Sequence, residues 1–446
     1  MHSTKPTRYR ALNLSRFKKT KYWERLGPEL RHEVGVASTV LPFRTNEYVL
    51  EELIDWSSIP YDPIFQLTFP QREMLDPDDF EELERLLGSG ASDEQVYALA
   101  REIRALMRPH PGGQVDHNVP ELRGRRLEGM QHKYAETLLY FPAQARTCHA
   151  YCTFCFRWPL LVEKGEHDFE HPSLGDMLEY LEVHTEVSDV LFTGGDPMVM
   201  SAGALARHLE PLLHPRFGHV RNIRIGTKTV AYWPQRFVSD GDSDELMRLF
   251  EKVAASGRHL SVMGHYCHPV ELSTATARQA AVRVRSTGAA IRIQAPLVRR
   301  INDSAEVWAE LWRTGVRLGA VPYYMFVERD TGPKNYFEVP LWRALEIYKG
   351  AYKQVSGLCR TVRGPSMSTF MGKVNVVDIV EMAYRKVFAL QYIQARDPDF
   401  ARRLFFARFD PEATWFTQLE PAFESERPFF ITQDTYEEHE AALVGA

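Results

Sequence analysis

Three of the five cysteines in this 446-residue chain fall close together, in the stretch RTCHAYCTFCFRW. They are Cys148, Cys152 and Cys155, whereas Cys267 and Cys359 stand alone in the sequence. A structural zinc site usually closes with four ligands in two pairs. Three thiolates instead suit a [4Fe–4S] cluster, in which one iron stays free for another ligand. The spacing C-x3-C-x2-C therefore predicts an iron–sulfur cluster with one open iron.

Two other interpretations of these cysteines stay open. A zinc ion could be bound with His149 or His265 completing the ligand set, or the three thiols could be buried and structural. The cluster is favoured because this spacing occurs on a loop directly after a predicted strand, TLLYF.

A second motif, VLFTGGDPM, contains Gly194, Gly195, Asp196 and Pro197. It follows an apolar run that reads as a strand. Glycines at such a turn let the backbone approach a bound ligand, because no Cβ stands in the way. Taken alone, the motif is therefore either a plain turn or a turn whose four residues bind a cofactor.

Both motifs lie at the ends of short apolar strands that alternate with amphipathic helices. The predicted strands are TLLYF, SDVLFTG, NIRIGT, HLSVMGH, AAIRIQAPL and GAVPYYMF. Such alternation indicates parallel βα units in an α/β fold. The periodicity does not decide between an open sheet and a partial barrel, but in both the chemistry belongs at the carboxyl ends of the strands.

The rest of the chain frames this core, and we predict three parts, 1–130, 131–338 and 339–446. The first is a helical segment, in which DPDDFEELERLLGSG and SDEQVYALAREIRALM have helical spacing and Asp or Ser caps. RPHPGGQVDHNVPELRG then reads as an irregular connector. The last part is mixed, with a helix at PLWRALEIYKGAYKQV and a loop at RTVRGPSMSTFMGKVNVV.

Composition bounds the class of protein. The net charge is −5, which argues against broad affinity for nucleic acid. The basic first 25 residues lack the apolar run of a secretory signal, and no apolar stretch approaches the roughly 20 residues that span a bilayer. We expect a cytoplasmic protein with reduced thiols and with no membrane or nucleic-acid partner.

The cysteine and glycine motifs together resemble those of the radical S-adenosylmethionine (radical SAM) superfamily. CTFCFRW, RIGTKTVAYWPQRF, GHYCHPVELS, IRIQAPLVRRIND and PYYMFVERD also follow the order and spacing of its lysine 2,3-aminomutase family, over about residues 110–375. The resemblance implies a partial (β/α)6 TIM-like barrel with a helical N-terminal and a mixed C-terminal segment. It also implies a [4Fe–4S] cluster on the three cysteines and S-adenosylmethionine on the open iron, beside the glycine-rich turn.

The resemblance implies a second cofactor, pyridoxal 5′-phosphate, joined as an imine to a lysine near the C-terminus. Counted along the family's spacing, the matching position is sixteen residues after Gly357, at Lys373. The family's run of glycines is replaced here by SMSTFMG. Lys133 and Tyr134 match positions that line the cofactor phosphate, and Gln294 matches a strand end at the same site.

The resemblance also bears on the substrate. Arg157 matches the residue that binds the substrate α-carboxylate, a task that suits a planar guanidinium. Lysine-specific members place two aspartates where this chain has Arg329 and Ser366, with Asp330 one residue later. A substrate ammonium without a carboxylate partner would cost about 3 kcal/mol or more. We therefore predict that lysine is not the substrate and that an acidic amino acid, such as glutamate or aspartate, is.

The predicted function is a radical SAM, pyridoxal-phosphate-dependent 2,3-aminomutase, an isomerase that moves an amino group to give a β-amino acid. One alternative is a family member without pyridoxal phosphate that performs another hydrogen abstraction. A second is a non-catalytic iron–sulfur or zinc-binding interaction protein. The expected partners are the amino acid, a flavodoxin- or ferredoxin-type reductant and possible further copies of the chain. The family's interchain zinc ligand falls on Leu272, so that metal would not join the copies.

Overall fold

The computed structural model describes residues 9–107, 117–158, 173–382 and 384–431. Its N-terminal part is helical, as predicted. The helices are α1 (Leu14–Phe17), α2 (Pro28–Ala37), α3 (Pro63–Thr68), α4 (Pro77–Gly88) and α5 (Asp93–Leu106). The two helices expected from apolar spacing are α4 and α5. Their caps, Asp76 and Ser92, accept hydrogen bonds from the backbone N–H groups of the first turn. Part of the predicted connector, 108–116, lies outside the described residues.

A two-stranded ribbon and one large sheet follow. The ribbon pairs β1 (Glu121–Leu122) with β2 (Arg125–Arg126). The sheet contains β3 (Met130–Tyr134), β4 (Thr137–Tyr140), β5 (Asp189–Phe192), β6 (Asn222–Thr227), β7 (His259–His265), β8 (Ala290–Leu297), β9 (Val321–Val327), β10 (Arg363–Ser368), β11 (Gly372–Met382), β12 (Arg385–Ala395) and β13 (Leu404–Arg408). Its strands follow one another in chain order, with β3 and β13 at the two edges. The six predicted strands are β4 to β9, and each pairs in parallel with the next.

Helices connect the parallel strands. They are α6 (Leu174–Val183), α7 (Ala202–Leu209), α8 (Thr229–Tyr232), α9 (Ser243–Ala255), α10 (Ala275–Ser286), α11 (Ala305–Arg317), α12 (Lys334–Phe337) and α13 (Leu341–Lys353). Along β6 and β8 buried residues alternate with partly exposed ones. Ile223 and Ile225 are buried, while Arg224 between them is partly exposed. One face of these strands therefore packs in the apolar core, and the other carries polar side chains.

The prediction of a loop over RTVRGPSMSTFMGKVNVV is wrong. These residues form β10 and β11, an antiparallel pair in which Ser368 lies opposite Lys373. β10 also pairs in parallel with β9, and β11 pairs along its length with β12. The Gly, Ser and Pro residues of this stretch are typical of loops. Val374 and Val376, however, are buried at alternate positions, as in a strand.

Two apolar clusters hold the chain together. The first runs from Leu12 to Val362 and joins the N-terminal helices to the sheet. The second runs from Val327 to Phe429 and lies under β10 to β13. The N-terminal segment thus shares its core with the parallel strands, and the boundaries at 130 and 338 remain predictions. Within the described part of the chain, the helices are all too short or too polar to traverse a bilayer.

Candidate active site

The three cysteines lie on the loop after β4, at the carboxyl end of the strand. The N-terminal segment holds this loop in place, because the backbone N–H groups of Tyr151 and Thr153 donate to the carbonyls of Arg44 and Leu67, each at 2.9 Å. The Thr153 hydroxyl also donates to the carbonyl of Gln66 at 2.7 Å. Backbone bonds to two separate parts of the N-terminal segment therefore fix the conformation of the cysteine loop.

All five cysteines are free thiols. The sulfurs of Cys148, Cys152 and Cys155 are close enough to influence one another electrostatically, and burial is the main cause that raises the pKa of each thiol, to about 12 for Cys152. Among the described residues, no group of three or more His, Cys, Asp or Glu side chains surrounds a single-ion position. A [4Fe–4S] cube binds its cysteines through different irons, so it needs sulfurs that are spread more widely. The donor set fits such a cluster, whose irons would supply the positive charge that ionises buried thiols.

The two histidines considered for a zinc site have other partners. His149 Nδ1 lies 2.8 Å from the Thr229 hydroxyl, and its ring stacks on Trp233. Burial lowers the pKa of His149 to about 3. His265 Nε2 lies 3.9 Å from the sulfur of Cys267, which is outside the triplet. These contacts give the zinc alternative no support.

The glycine-rich turn packs directly against the cysteine loop. A Cβ on Gly195 would lie 2.7 Å from the carbonyl carbon of Arg146 and from the carbonyl oxygen of Thr147. A Cβ on Gly194, whose φ is +145°, would lie 2.9 Å from the carbonyl oxygen of Ala145. The sequence suggested that the glycines make room for a ligand. In the structure they make room for the backbone that leads into the cysteines.

Asp196 joins the glycine-rich turn to the end of β6. Its carboxylate accepts hydrogen bonds from the hydroxyls of Thr227 and Thr229 and from the backbone N–H groups of Met198, Lys228 and Thr229, all between 2.7 and 2.9 Å. Burial raises the pKa of Asp196, and these bonds oppose that rise. Asp196 therefore organises the turn from within. Pro197, also buried, begins the short 3-10 turn that follows. A cofactor-binding role for the four turn residues remains a prediction.

Lys373 is on β11, where its amine lies over aromatic rings of β9. The Nζ atom is 4.2 Å from the ring centroid of Tyr324 and 5.5 Å from that of Phe326. Burial, followed by repulsion from the guanidinium groups of Arg224 and Arg363, lowers the pKa of Lys373 to about 7. About half of such an amine is unprotonated at neutral pH, which is the form that attacks a carbonyl.

Lys133 and Tyr134 lie on β3, near the β10–β11 turn. The Lys133 amine donates to the carbonyl of Thr369. Burial, followed by repulsion from Arg396, Arg329 and Lys373, lowers the pKa of Lys133 well below its ordinary value. The Tyr134 hydroxyl is buried, and the described residues offer it no hydrogen bond of normal geometry. The guanidiniums of Arg329 and Arg396 make this region cationic, and a buried hydroxyl lies in it, a combination that suits a phosphate.

Arg157 and Arg329 both lie close to the ring of Phe156. Their Cζ atoms are 5.0 and 5.2 Å from that ring's centroid, so they are no more than about 10 Å apart. Arg157 also donates to the Thr193 hydroxyl at 2.5 Å and to the Gly194 carbonyl at 3.1 Å. Burial lowers the pKa of both guanidiniums. Repulsion from Arg329 also lowers the pKa of Arg157. Asp330 is buried and acts on Arg329 in the opposite direction.

The charges of these sites influence one another. Cys155 and Arg329 act on the pKa of Arg157, and Arg329 and Lys373 act on the pKa of Lys133. Gln294 belongs to the same neighbourhood, since it lies opposite Tyr324 in the β8–β9 register. The structure thus brings the predicted cofactor and substrate residues together, while their individual roles remain predictions.

Several residues of this region were not found from the sequence. They are Arg224, Tyr324, Phe326, Arg363 and Arg396, which are the neighbours of Lys373 and Lys133. One signal was available, because NIRIGT places an arginine at an alternate position of an otherwise apolar strand. A charged side chain there must face away from the packed side of the strand.

No family model matches the chain. A protein of Aquifex aeolicus that is provisionally named an L-lysine 2,3-aminomutase is 31% identical over 396 residues, which is 89% of this chain and 92% of that protein. The L-lysine 2,3-aminomutase of Haemophilus influenzae is 25% identical over 56% of this chain and 71% of its own length. For the enzyme of Clostridium subterminale the identity is 27%, over 52% of each chain.

Solved structures resemble the chain weakly. A radical SAM methyltransferase from Sphaerobacter thermophilus is 15% identical, with 63% of this chain and 91% of that chain covered and a TM-score of 0.37. Streptococcus suis SuiB is 14% identical, with 61% and 55% covered and a TM-score of 0.33. The sequence relationship, which extends over nearly the whole chain, is the stronger finding. On that relationship, and with the cysteine motif in place, the chain belongs to the lysine 2,3-aminomutase family of radical SAM proteins.

Proposed function

We propose that this protein is a pyridoxal-phosphate-dependent 2,3-aminomutase that acts on an acidic amino acid rather than on free lysine. The observation that carries the proposal is the electrostatic continuity from the cysteine loop to Lys373 through Arg157 and Arg329. This continuity supports a single reaction centre in which both cofactors reach one substrate.

Cys148, Cys152 and Cys155 would hold the [4Fe–4S] cluster, and its open iron would bind S-adenosylmethionine. When reduced, this pair of groups supplies a 5′-deoxyadenosyl radical, which can remove a hydrogen atom from a carbon that is not acidic. The chain's own contribution is to fix the loop. The Gly195 contact with Arg146 and the bonds to the N-terminal segment hold the cysteine backbone in one conformation.

Lys373 would hold pyridoxal 5′-phosphate. Bound there, the cofactor supplies a conjugated system that can accommodate an unpaired electron while an amino group changes carbon. The Lys373 amine has a pKa of about 7 and lies over an aromatic surface that suits a planar ring. Lys133 and the Tyr134 hydroxyl would receive the phosphate, and their burial among cations supports this role. The cluster of cations between them favours an anionic cofactor.

Arg157 and Arg329 support the choice of substrate. Each guanidinium can make two parallel hydrogen bonds with a carboxylate, and they face the same side chain, Phe156. An ammonium group about 5 Å from Arg329 would be repelled by roughly 3 kcal/mol at an effective dielectric constant of about 20, which is a factor of roughly a hundred or more. Glutamate or aspartate would satisfy both guanidiniums.

The test is anaerobic reconstitution with iron, sulfide and pyridoxal phosphate, followed by incubation with single amino acids. We expect 5′-deoxyadenosine with an acidic amino acid and little product with lysine. Glutamate should give β-glutamate, whereas the same shift regenerates aspartate from aspartate, so migration there is followed by isotope label moving between the two inner carbons. Arg329→Asp should abolish turnover of the acidic substrate. Arg360→Asp, at an exposed arginine over Tyr352, serves as the matched control. Fast turnover of lysine without turnover of glutamate would refute the substrate assignment.

A family member without pyridoxal phosphate is the second candidate, and one observation favours it. Lys133 already donates to the carbonyl of Thr369, at the turn where the family has its glycine run. Borohydride treatment after incubation with the cofactor separates the two candidates. A pyridoxyl mass increase on Lys373, absent in Lys373→Ala, supports the first. Failure of the reconstituted protein to cleave S-adenosylmethionine under dithionite would instead favour a non-catalytic role.

The proposal requires an electron donor, for which a flavodoxin- or ferredoxin-type protein is suited, because the cluster accepts one electron at a time. Purified donors of both types, compared with dithionite, test this directly. Formation of 5′-deoxyadenosine with a protein donor is the expected result.

A further inference from the structure

A buried polar group lies beside the cysteine loop and has no part in the proposed reaction. It consists of Lys228, Tyr232, Cys267 and Glu271, which are almost completely buried. Lys228 Nζ lies 2.5 Å from a Glu271 carboxylate oxygen and 3.5 Å from the Cys267 sulfur. Buried ion pairs are costly to desolvate and rarely add net stability. Their position next to a proposed cluster ligand therefore calls for another explanation.

Tyr232 provides the direct link to the cluster loop. Its hydroxyl lies 3.4 Å from the sulfur of Cys152. A thiolate has no proton to donate, so once Cys152 binds iron the Tyr232 hydroxyl must be the donor.

The positive end of the ion pair lies against Tyr232, the residue whose hydroxyl contacts Cys152. Lys228 Nζ lies 4.7 Å from the centroid of the Tyr232 ring. Glu271 is fixed on the far side, since its second oxygen accepts from the backbone N–H groups of Cys267 and His268 at 2.5 and 3.0 Å.

We propose that the Tyr232 hydroxyl and the Lys228–Glu271 pair raise the reduction potential of the cluster by stabilising negative charge at the Cys152 sulfur. The inference rests on the proposed [4Fe–4S] cluster. Reduction adds one electron from the external donor, and part of the added charge is carried by the cysteine sulfurs. A hydrogen-bond donor and an oriented positive charge at one sulfur therefore favour the reduced cluster over the oxidised one.

The experiment is a redox titration of the reconstituted full-length protein, followed by electron paramagnetic resonance of the reduced cluster. Tyr232→Phe keeps the buried ring and removes only the hydroxyl. We expect the ratio of reduced to oxidised cluster at a fixed potential to fall about tenfold, which corresponds to about 59 mV for a one-electron couple. Tyr48→Phe is the matched control, because its buried hydroxyl bonds to Thr274 at 2.7 Å and to no cysteine.

A second variant tests the ion pair. Lys228→Met combined with Glu271→Gln removes both charges without leaving either buried alone, and we expect its midpoint to be more negative than that of wild type. A proton that couples to the reduced cluster and exchanges in D2O should be present in wild type and missing in Tyr232→Phe. Equal iron content in all proteins establishes that the cluster itself is intact.

The outcomes distinguish a failure of the proposed function from a failure of this inference alone. If wild type assembles no cluster, the proposed function fails and this inference fails with it. If the clusters form but Tyr232→Phe keeps both the wild-type midpoint and the exchangeable proton, this inference is overturned and the proposed function stands.

Discussion

We expect the amine of Lys373 to be far more reactive at neutral pH than the amine of an exposed lysine. Its pKa of about 7 leaves half of the amine unprotonated at pH 7. A lysine in water, with a pKa of about 10.4, is unprotonated only in roughly one molecule in 2,500. The fraction of reactive amine at Lys373 is therefore about a thousandfold higher, and it should fall through a midpoint near pH 7 as the solution is acidified.

Competitive labelling measures this fraction in the protein without its cofactors. A trace of an acylating reagent is added across a pH series, and mass spectrometry gives the labelled fraction of each lysine. The exposed Lys353 provides the internal reference for an amine in water. We expect the Lys373 curve to reach its plateau several pH units below the reference curve.

The cause of the shift can be tested separately. Arg363 lowers the pKa of Lys373 by charge repulsion, in addition to the effect of burial. Arg363→Gln should therefore move the Lys373 midpoint to higher pH, whereas Arg360→Gln, at another exposed arginine on the preceding turn, should leave it unchanged. Labelling of Lys373 that follows the Lys353 curve would show that the amine is an ordinary one and would remove the main support for its role as the cofactor lysine.

Two further predictions concern stability. Gly195→Ala should destabilise the protein by about 1–3 kcal/mol and reduce iron incorporation, because the new Cβ would lie 2.7 Å from backbone atoms of the cysteine loop. Gly241→Ala, where no atom lies within 4 Å, is its control, and equal melting temperatures for the two variants would contradict the packing argument. At Glu328 both carboxyl oxygens are buried without a hydrogen bond from the described residues, and burial raises the pKa well above its ordinary value. The folded state then keeps a proton that the unfolded state releases above about pH 4.3, so this group makes stability fall as the pH rises. Glu328→Gln mimics the protonated form. Its free energy of unfolding, measured with urea, should rise relative to that of wild type by at most about 1.4 kcal/mol for each pH unit between about pH 5 and pH 8. Parallel curves for the two proteins would exclude a raised pKa.

The elements of the fold could largely be predicted from local patterns. All six parallel strands and the helices α4, α5 and α13 were visible as apolar runs of the right period. β10 and β11 are the exception. Gly364, Pro365 and Gly372 are typical of turns and predict a loop, yet pairing with β9 and β12 makes this stretch part of the sheet. Local composition is outweighed there by hydrogen bonds to strands that are distant in sequence.

The cysteine spacing, the glycine-rich turn and the spacing that leads to Lys373 can be read from local sequence, because each is a property of residues near one another in the chain. The fold was needed to show that Arg157 and Arg329 both approach Phe156, that a side chain at Gly195 would clash with the cysteine loop, and that Arg224 and Arg363 depress the pKa of Lys373. Each of these relations includes residues that are far apart in sequence, such as Phe156 and Arg329 or Arg224 and Lys373. Charge, burial and close packing act through space, so they exist only once the sheet has brought the strands together.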